Sequence, residues 1–251
     1  RDVVVDFSGK YLYALAYGTS MVHAFAINNT TGALSAIGSP LATGTNPNSV
    51  TLHPTGKFLY VTSTGGTVNS YNVDQTTGLL TASGSVATGS NSRWIRVDLS
   101  GKYAFTVNSG TNDMYVYSID QTTGILTQIG SPVVVGTDPR SLSITPDGKY
   151  IYIAEFNANH LTPYAFDQST GGVTTGSFVS ILSAPESVIV HPTGKYLYVA
   201  YTAGGPLGSI SGYSINATTG AITIINTATN AAISPNRFTI DPTGKFGYSS
   251  N

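Results

Sequence analysis

Short runs in which apolar or β-branched side chains alternate with small polar ones recur along the whole chain, and no stretch shows the spacing of an amphipathic helix. Between residues 49 and 87 the runs are 49–53, 58–62, 67–73 and 79–87, each with the period of a half-buried strand. The segments between them carry turn chemistry. Pro54-Thr55-Gly56-Lys57 puts Pro where φ of about −65° is wanted and Gly where φ must be positive, which predicts a type I turn closed by a bulge. Asp74-Gln75-Thr76-Thr77-Gly78 offers a carboxylate to its own backbone and a second permissive Gly. The four runs, A to D in chain order, read as an antiparallel meander with tight hairpins from A to B and from C to D.

The unit repeats. Turns in FSGKYLYAL, HPTGKFLYVT, LSGKYAFTV, TPDGKYIYIA, HPTGKYLYVA and DPTGKFGYSS register Gly9, Gly56, Gly101, Gly148, Gly194 and Gly244 at intervals of 47, 45, 47, 46 and 50 residues. A second landmark, NNTTG, DQTTG, DQTTG, DQSTG and NATTG, keeps Gly32, Gly78, Gly124, Gly171 and Gly220 in phase with the first. A period of about 47 residues built from short strands is the mark of propeller blades, since the helical repeats are shorter. The expectation is an all-β fold, a β-propeller of four-stranded antiparallel blades, with residues 1–251 forming one domain. Five complete units are followed by the A and B runs of a sixth. Run B carries an aromatic pair spaced by two in every unit, from Tyr11 and Tyr13 to Phe246 and Tyr248, and such a row is expected to fill the gap between neighbouring sheets.

Charge narrows the partners. Charged residues are 9% of the chain and the formal net charge is −1, so no basic stripe is available for nucleic acid. No apolar run approaches the length of a membrane helix. There is no Cys, so neither disulfides nor thiol chemistry enter. Abundant Thr, Ser, Gly and Asn, with N-x-Thr tripeptides beginning at Asn28, Asn29 and Asn216, favour an extracellular or cell-surface protein.

The elements HPTGKFLYVT and HPTGKYLYVA, followed by DQTTG-type turns, resemble the seven-bladed lactonase-type propellers, which include bacterial 6-phosphogluconolactonase and fungal carboxymuconate cyclase. Tyr60-Val61-Thr62-Ser63 is also similar to the tetrapeptide of the YVTN surface-protein repeats. The resemblance covers the whole chain and implies a parent of seven blades, of which about five and a half are present; a closed five-bladed ring is the alternative. Because the shared elements are turn and core chemistry, the likeness transfers the fold and not a reaction.

Subtracting the repeat leaves few residues for function. All six Lys follow a turn Gly, His53 and His191 share a turn position with Asp6, Asp98 and Asp241, and Asp74, Asp120 and Asp167 open C-to-D turns. These read as structural. The A-to-B and C-to-D turns lie on one edge of each sheet, so the B-to-C and D-to-A loops lie on the other, which becomes the candidate functional edge. Every Arg belongs to an A segment: Arg1, Arg93 and Arg140 stand eight residues before their turn Gly, where Asn48, Glu186 and Asn236 are the equivalents, and Arg96 and Arg237 lie further in. Asp113, Glu155 and His160 are expected in B-to-C loops, and Asp138 in a D-to-A loop. His160 beside Glu155 or Glu186 has the chemistry of a general base, and Arg93, Arg96, Arg140, Asp113 and Trp94 are candidates to hold a substrate carboxylate or stack on it. Mutual neutralisation of Arg and Glu is the competing reading. The loop Ala203-Gly204-Gly205-Pro206-Leu207-Gly208 is longer than its counterparts and is a candidate partner-binding insertion. No metal or cofactor motif is present. Two functions follow: an extracellular module that binds a protein or small carbohydrate or carboxylate ligand, or assembles with other chains, without catalysis; and, as the alternative, a lactonase or cycloisomerase acting on a small sugar lactone or carboxylate, cytoplasmic in that case.

Overall fold

The computed structural model describes residues 1–181, 184–202, 209–230, 235 and 237–250, and among them every regular element is a β-strand. The first blade is β1 (Val3–Val5), β2 (Tyr11–Ala16), β3 (Met21–Ile27) and β4 (Leu34–Ala42). The second is β5 (Pro47–Leu52), β6 (Phe58–Ser63), β7 (Thr67–Val73) and β8 (Leu80–Ala87); the third is β9 (Ser92–Val97), β10 (Tyr103–Asn108), β11 (Asp113–Ile119) and β12 (Leu126–Val134). The fourth is β13 (Pro139–Ile144), β14 (Tyr150–Glu155), β15 (His160–Asp167) and β16 (Gly172–Thr175), with β17 (Val179–Ser180) also paired to β15. The fifth is β18 (Pro185–Val190), β19 (Tyr196–Tyr201), β20 (Ser209–Ile215) and β21 (Ile222–Asn230), and β22 (Arg237–Ile240) pairs with β23 (Gly247–Ser250). All pairings are antiparallel and, apart from β15 with β17, between consecutive strands, the meander of a propeller blade. The chain divides into two compact units, Arg1–Pro132 and Val133–Asn251.

The turn chemistry acts as the residue types require. In the second blade the Gly56 N–H donates to His53 O and the His53 N–H to Phe58 O, with Gly56 at φ of 74°: a type I turn with its bulge. The C-to-D turn closes with the Gly78 N–H on Asp74 O, while Asp74 Oδ1 accepts the Thr76 and Thr77 N–H groups at 2.8 Å each. In the fourth blade the Ser169 hydroxyl and amide hold the Asp167 carboxyl down to about 2. These carboxylates are committed to backbone.

Blades within a unit are tied by the repeat's own side chains. Tyr13 and Tyr60 are fully buried, and their hydroxyls donate to Gly78 O (3.1 Å) and Gly124 O (2.9 Å), each in the C-to-D turn of the next blade; Tyr152 does the same to Gly220 O at 2.8 Å. Burial pushes all three phenols well above the ordinary tyrosine value, so they remain donors. The row of aromatics is core here, as expected. Its last members differ: Tyr196 is 41% exposed, and Phe246 and Tyr248 on β23 are 61% and 59% exposed, in a sheet of only two strands.

The inner edge is sealed as well. An A strand has N–H groups along the edge that faces away from strand B, and side chains of the preceding blade accept some of them. Asp2 Oδ2 takes the Val50 N–H, Ser141 Oγ the Val188 N–H, Ser143 Oγ the Val190 N–H and Ser187 Oγ the Phe238 N–H, at 2.9, 3.2, 2.9 and 3.4 Å. His53 and His191 add a third tie. In each, Nδ1 accepts the amide of the Thr two residues on, which leaves Nε2–H to donate to Gly101 O (2.8 Å) or Gly244 O (2.9 Å) in the next blade.

Two outcomes test this account. Gly148 sits at φ of 71°, so Gly148→Val should cost about 1–3 kcal/mol in chemical denaturation, whereas Lys149→Ala, which breaks only an exposed 3.7 Å pair with Asp147, should change stability by less than about 0.5 kcal/mol. Burial, with help from Lys57 and against Gly101 O and Asp98, lowers the His53 pKa, so the folded state favours the neutral ring. Its contribution is complete above the unfolded value of about 6.5 and declines as pH falls below it. Urea midpoints at pH 8 and pH 5 should differ less in His53→Gln than in the wild type.

Candidate functional site

The two edges of each sheet differ in backbone chemistry. The A-to-B and C-to-D turns reach positive φ with Gly, but in the B-to-C and D-to-A loops the described non-Gly residues at positive φ are Ser20, Asn46, Asn91, Asn112, Asp138, Asn159 and Ala184. Asn, Asp and Ser tolerate that conformation because their side chains bond locally, and such positions gather at functional sites. Here they also link blades: Ser20 Oγ accepts the Asn46 N–H at 3.1 Å, and Asn159 Oδ1 accepts the Ala184 N–H at 2.9 Å.

Hairpin arithmetic fixes which side chains meet on that edge. In the second to fifth blades the A-to-B hairpin pairs position −7 with +6 and position −9 with +7, counted from the turn Gly, so the residue at −8 is the extra one of a bulge and its side chain is released toward the residue at +8, just past strand B. The Arg1 guanidinium lies over the Tyr17 ring (5.4 Å), Arg93 Nε donates to Ser109 Oγ (3.0 Å), and the Arg140 guanidinium lies over the Phe156 ring (4.0 Å). In the first unit, Asn91 Nδ2 shares the Ser109 hydroxyl (2.7 Å), Arg96 stacks on Trp94 (4.6 Å), and Asp113 Oδ1 accepts from Asn108 Nδ2 (2.8 Å). Trp94 is 8% exposed and so contributes mainly as core.

In the second unit Arg140 is clamped. Its Nε and one terminal nitrogen donate to the two Asp138 oxygens (3.0 and 2.9 Å), and the other terminal nitrogen donates to Glu186 Oε1 (3.0 Å). Burial works against the guanidinium charge, but the bonds and charges of Asp138 and Glu186 prevail and raise its pKa. One guanidinium thus serves two carboxylates. Arg140 is therefore ion-paired on both sides.

Glu155 and His160 were expected in a loop, as was Asp113. Instead Glu155 ends β14, His160 begins β15 and Asp113 begins β11, because the B-to-C connection is a tight turn that pairs Glu155 directly with His160. Glu155 is 2% exposed. Its carboxylate accepts the Gly136 N–H (2.9 Å), the Thr162 hydroxyl (3.0 Å) and the Tyr164 hydroxyl (3.3 Å). A Cβ on Gly136 would collide with that carboxylate. Glu155 thus anchors the loop that carries Asp138, and through it Arg140. His160 Nδ1 is 3.8 Å from Glu155 Oε2, and the imidazole stacks on Phe178 at 3.8 Å between ring centres, 15° from parallel.

Asp138, Phe156 and Phe178 complete the cluster and were not among the residues singled out for a role. Phe178 had a signal: it interrupts a D segment where the second blade has Ser83-Gly84-Ser85. Ala203–Gly208 and Asn236 lie outside the described residues. Among the described residues no group of His, Asp and Glu is arranged to hold a metal ion, and no helix is long and apolar enough to cross a membrane.

The fold and this edge define a β-propeller with charged and aromatic residues gathered on the loop edge of its blades. The family model described as Lactonase, 7-bladed beta-propeller matches residues 2–95 and 86–189, and the chain belongs to that family. Among solved structures, it superposes on a provisionally assigned 6-phosphogluconolactonase of Bacteroides uniformis with a TM-score of 0.86 at 20% identity, over 99% of this chain and 76% of the other. A second such protein, from Bacteroides fragilis, gives 0.84 at 21% over the same shares, and a periplasmic gluconolactonase of Pseudomonas aeruginosa gives 0.78 at 17%, over 93% and 71%. At these identities the likeness is one of fold. No curated protein matches the sequence.

The three donors on Glu155 lead to a stability expectation. Glu155→Ala orphans a part-buried amide and two buried hydroxyls and should cost about 2–4 kcal/mol in urea denaturation, while His160→Ala, on a partly exposed ring, should cost under about 1 kcal/mol.

Proposed function

We propose that the chain is a lactone hydrolase acting on a small, uncharged sugar lactone at the cluster of the fourth and fifth blades. The observation that carries this is a histidine beside a buried carboxylate on the loop edge of a lactonase-family blade. It ranks above the non-catalytic extracellular module that the sequence alone put first, because the family match covers most of the chain. A cytoplasmic or periplasmic place of action is compatible with it.

Hydrolysis needs a base for water, a donor for the oxyanion and an acid for the departing alcohol. In this reading His160 Nε2 takes a proton as water oxygen bonds to the lactone carbonyl carbon. The ring C–O bond then breaks, and the same proton passes to the alkoxide oxygen, giving the open hydroxy acid. Glu155, 3.8 Å from Nδ1, balances the transient imidazolium, a distance that closes readily when substrate binds. Arg140 has committed three of its five N–H groups to Asp138 and Glu186, and the remaining two serve the developing oxyanion. The carboxylates of Asp138 and Glu186 beside Arg140 disfavour a substrate phosphate or carboxylate there, whereas they accept readily from sugar hydroxyls.

The test is hydrolysis of an aldonolactone and its 6-phosphate by wild type and His160→Ala. Turnover should fall by about a hundredfold or more in the variant with the melting temperature nearly unchanged, and kcat/KM should favour the neutral lactone by about tenfold. Equal rates for the two proteins across a lactone panel would overturn the role of His160, and preference for the phosphorylated substrate would overturn the assignment of its charge.

A further inference from the structure

The turn edge, which the hydrolase reading does not use, holds a cavity of about 230 Å³ between the first two blades, lined by Asp6, Phe7, Ser8, Lys10, Tyr11, Pro54, Thr55, Gly56, Val73 and Gln75. Its origin is visible by comparison with the next seam. Between the second and third blades, the His53 ring stands edge-on to Phe58 (5.4 Å), closes on Gly101 so that a Cβ there would meet His53 Nε2, and donates to Gly101 O. His191 repeats the arrangement with Tyr196 and Gly244. At the first seam the equivalent of His53 is Asp6. Its short carboxylate turns back onto its own hairpin, accepting from the Ser8 amide (3.0 Å), the Ser8 hydroxyl and the Tyr11 amide (2.7 Å).

What faces Gly56 differs accordingly. The nearest atom to a Cβ on Gly56 is Gln75 Oε1 at 3.1 Å, with nothing from Asp6. Gly101 O accepts from both His53 Nε2 and Gln121 Nε2, each at 2.8 Å, while Gly56 O accepts from Gln75 Nε2 alone. A carbonyl has two lone pairs, so one acceptor position at Gly56 matches the one the imidazole occupies at Gly101. The lining also carries Phe7, 74% exposed, in the turn position that the second, fourth and fifth hairpins give to Pro54, Pro146 and Pro192.

We propose that this cavity is a binding site for an imidazole ring or a similarly small planar nitrogen heterocycle. The ring N–H donates to Gly56 O as His53 does to Gly101 O, the ring packs on Tyr11 as His53 packs on Phe58, and Phe7 covers its outer face. The ring comes either as a free heterocycle or as a histidine side chain on another polypeptide; the recognition chemistry is the same.

The probe is imidazole itself, titrated into the full chain at a pH where it is neutral and followed by the amide resonances of Phe7, Tyr11 and Gly56. A ligand this small is expected to saturate on the order of millimolar. Asp6→His supplies the ring internally and should abolish the saturable shifts while raising the melting temperature. Phe7→Pro, which installs the residue used by the other hairpins, should weaken binding by about tenfold without unfolding the turn. A blocked histidine dipeptide in place of imidazole separates the two sources: tighter binding points to a peptide, weaker binding to a free heterocycle. Absence of saturation in the wild type, or shifts that persist unchanged in Asp6→His, would overturn the proposal. Neither result depends on lactone turnover.

Discussion

The aromatic ring that strand B buries against the next blade, a phenol bonded to that blade's C-to-D turn in the first, second and fourth blades, is the contact on which the rest of the structure depends. A four-stranded sheet has two faces and cannot hide either by itself, so it becomes stable only between neighbours. Burying one tyrosine ring contributes roughly 2–3 kcal/mol, and its hydroxyl bond about 1 kcal/mol. The ring therefore supplies most of the adhesion. The hydroxyl supplies register, because the backbone carbonyl of Gly78, Gly124 or Gly220 is reached only when the two blades are in the right offset. The same turns need glycine for a second reason. A Cβ on Gly124 would enter the Phe58 ring, and one on Gly220 the Tyr150 ring.

Because the turn edge is spent on these seams, chemistry is displaced to the other edge. The carboxylates of the C-to-D turns already hold two amides each at Asp74 and Asp120, and an amide and two hydroxyls at Asp167, and the turn histidines hold one blade to the next. On the loop edge, positions −8 and +8 meet in the first, third and fourth hairpins without a fixed pair of residue types, so Arg over Tyr17, Arg on Ser109 and Arg over Phe156 are all compatible with the same backbone. That freedom makes the edge variable in composition and suited to a site.

Departures from the repeat then become the informative positions. The last residue of strand B is Ser63, Asn108, Glu155 and Tyr201 in successive blades, all buried. In the second and third blades the C-strand tyrosines, Tyr71 and Tyr117, donate to carbonyls of the preceding blade (Ala42 O and Ala87 O). In the fourth, Tyr164 donates to Glu155 instead, and in the fifth Tyr213 pairs with Tyr201. A buried carboxylate has been introduced into one blade and the neighbouring donors rearranged to satisfy it, as burial of a charge demands. Asp6 is the counterpart on the turn edge, where losing a ring opens a cavity.

Strand order, hairpin type and blade period were legible in the sequence because each is set locally: alternation fixes the strands, Pro, Asx and Gly fix the turns, and two landmarks in phase fix the repeat. The aromatic row could be assigned to the core because its spacing places it on one face of every sheet. The −8 arginines could be placed at the loop edge by counting from the turn. What the sequence could not decide was whom those arginines meet. Arg140 is clamped by Asp138, two residues away, and by Glu186 of the next A strand, a contact that exists only once blades are packed. Glu155 reads as a loop residue until the tight turn draws it into β14 and gives it three donors, two from β15 and one from a preceding loop. Local backbone preference is written in neighbouring residues, but the electrostatic state of a side chain is set by partners dozens of positions away, and only the tertiary fold brings them within bonding distance.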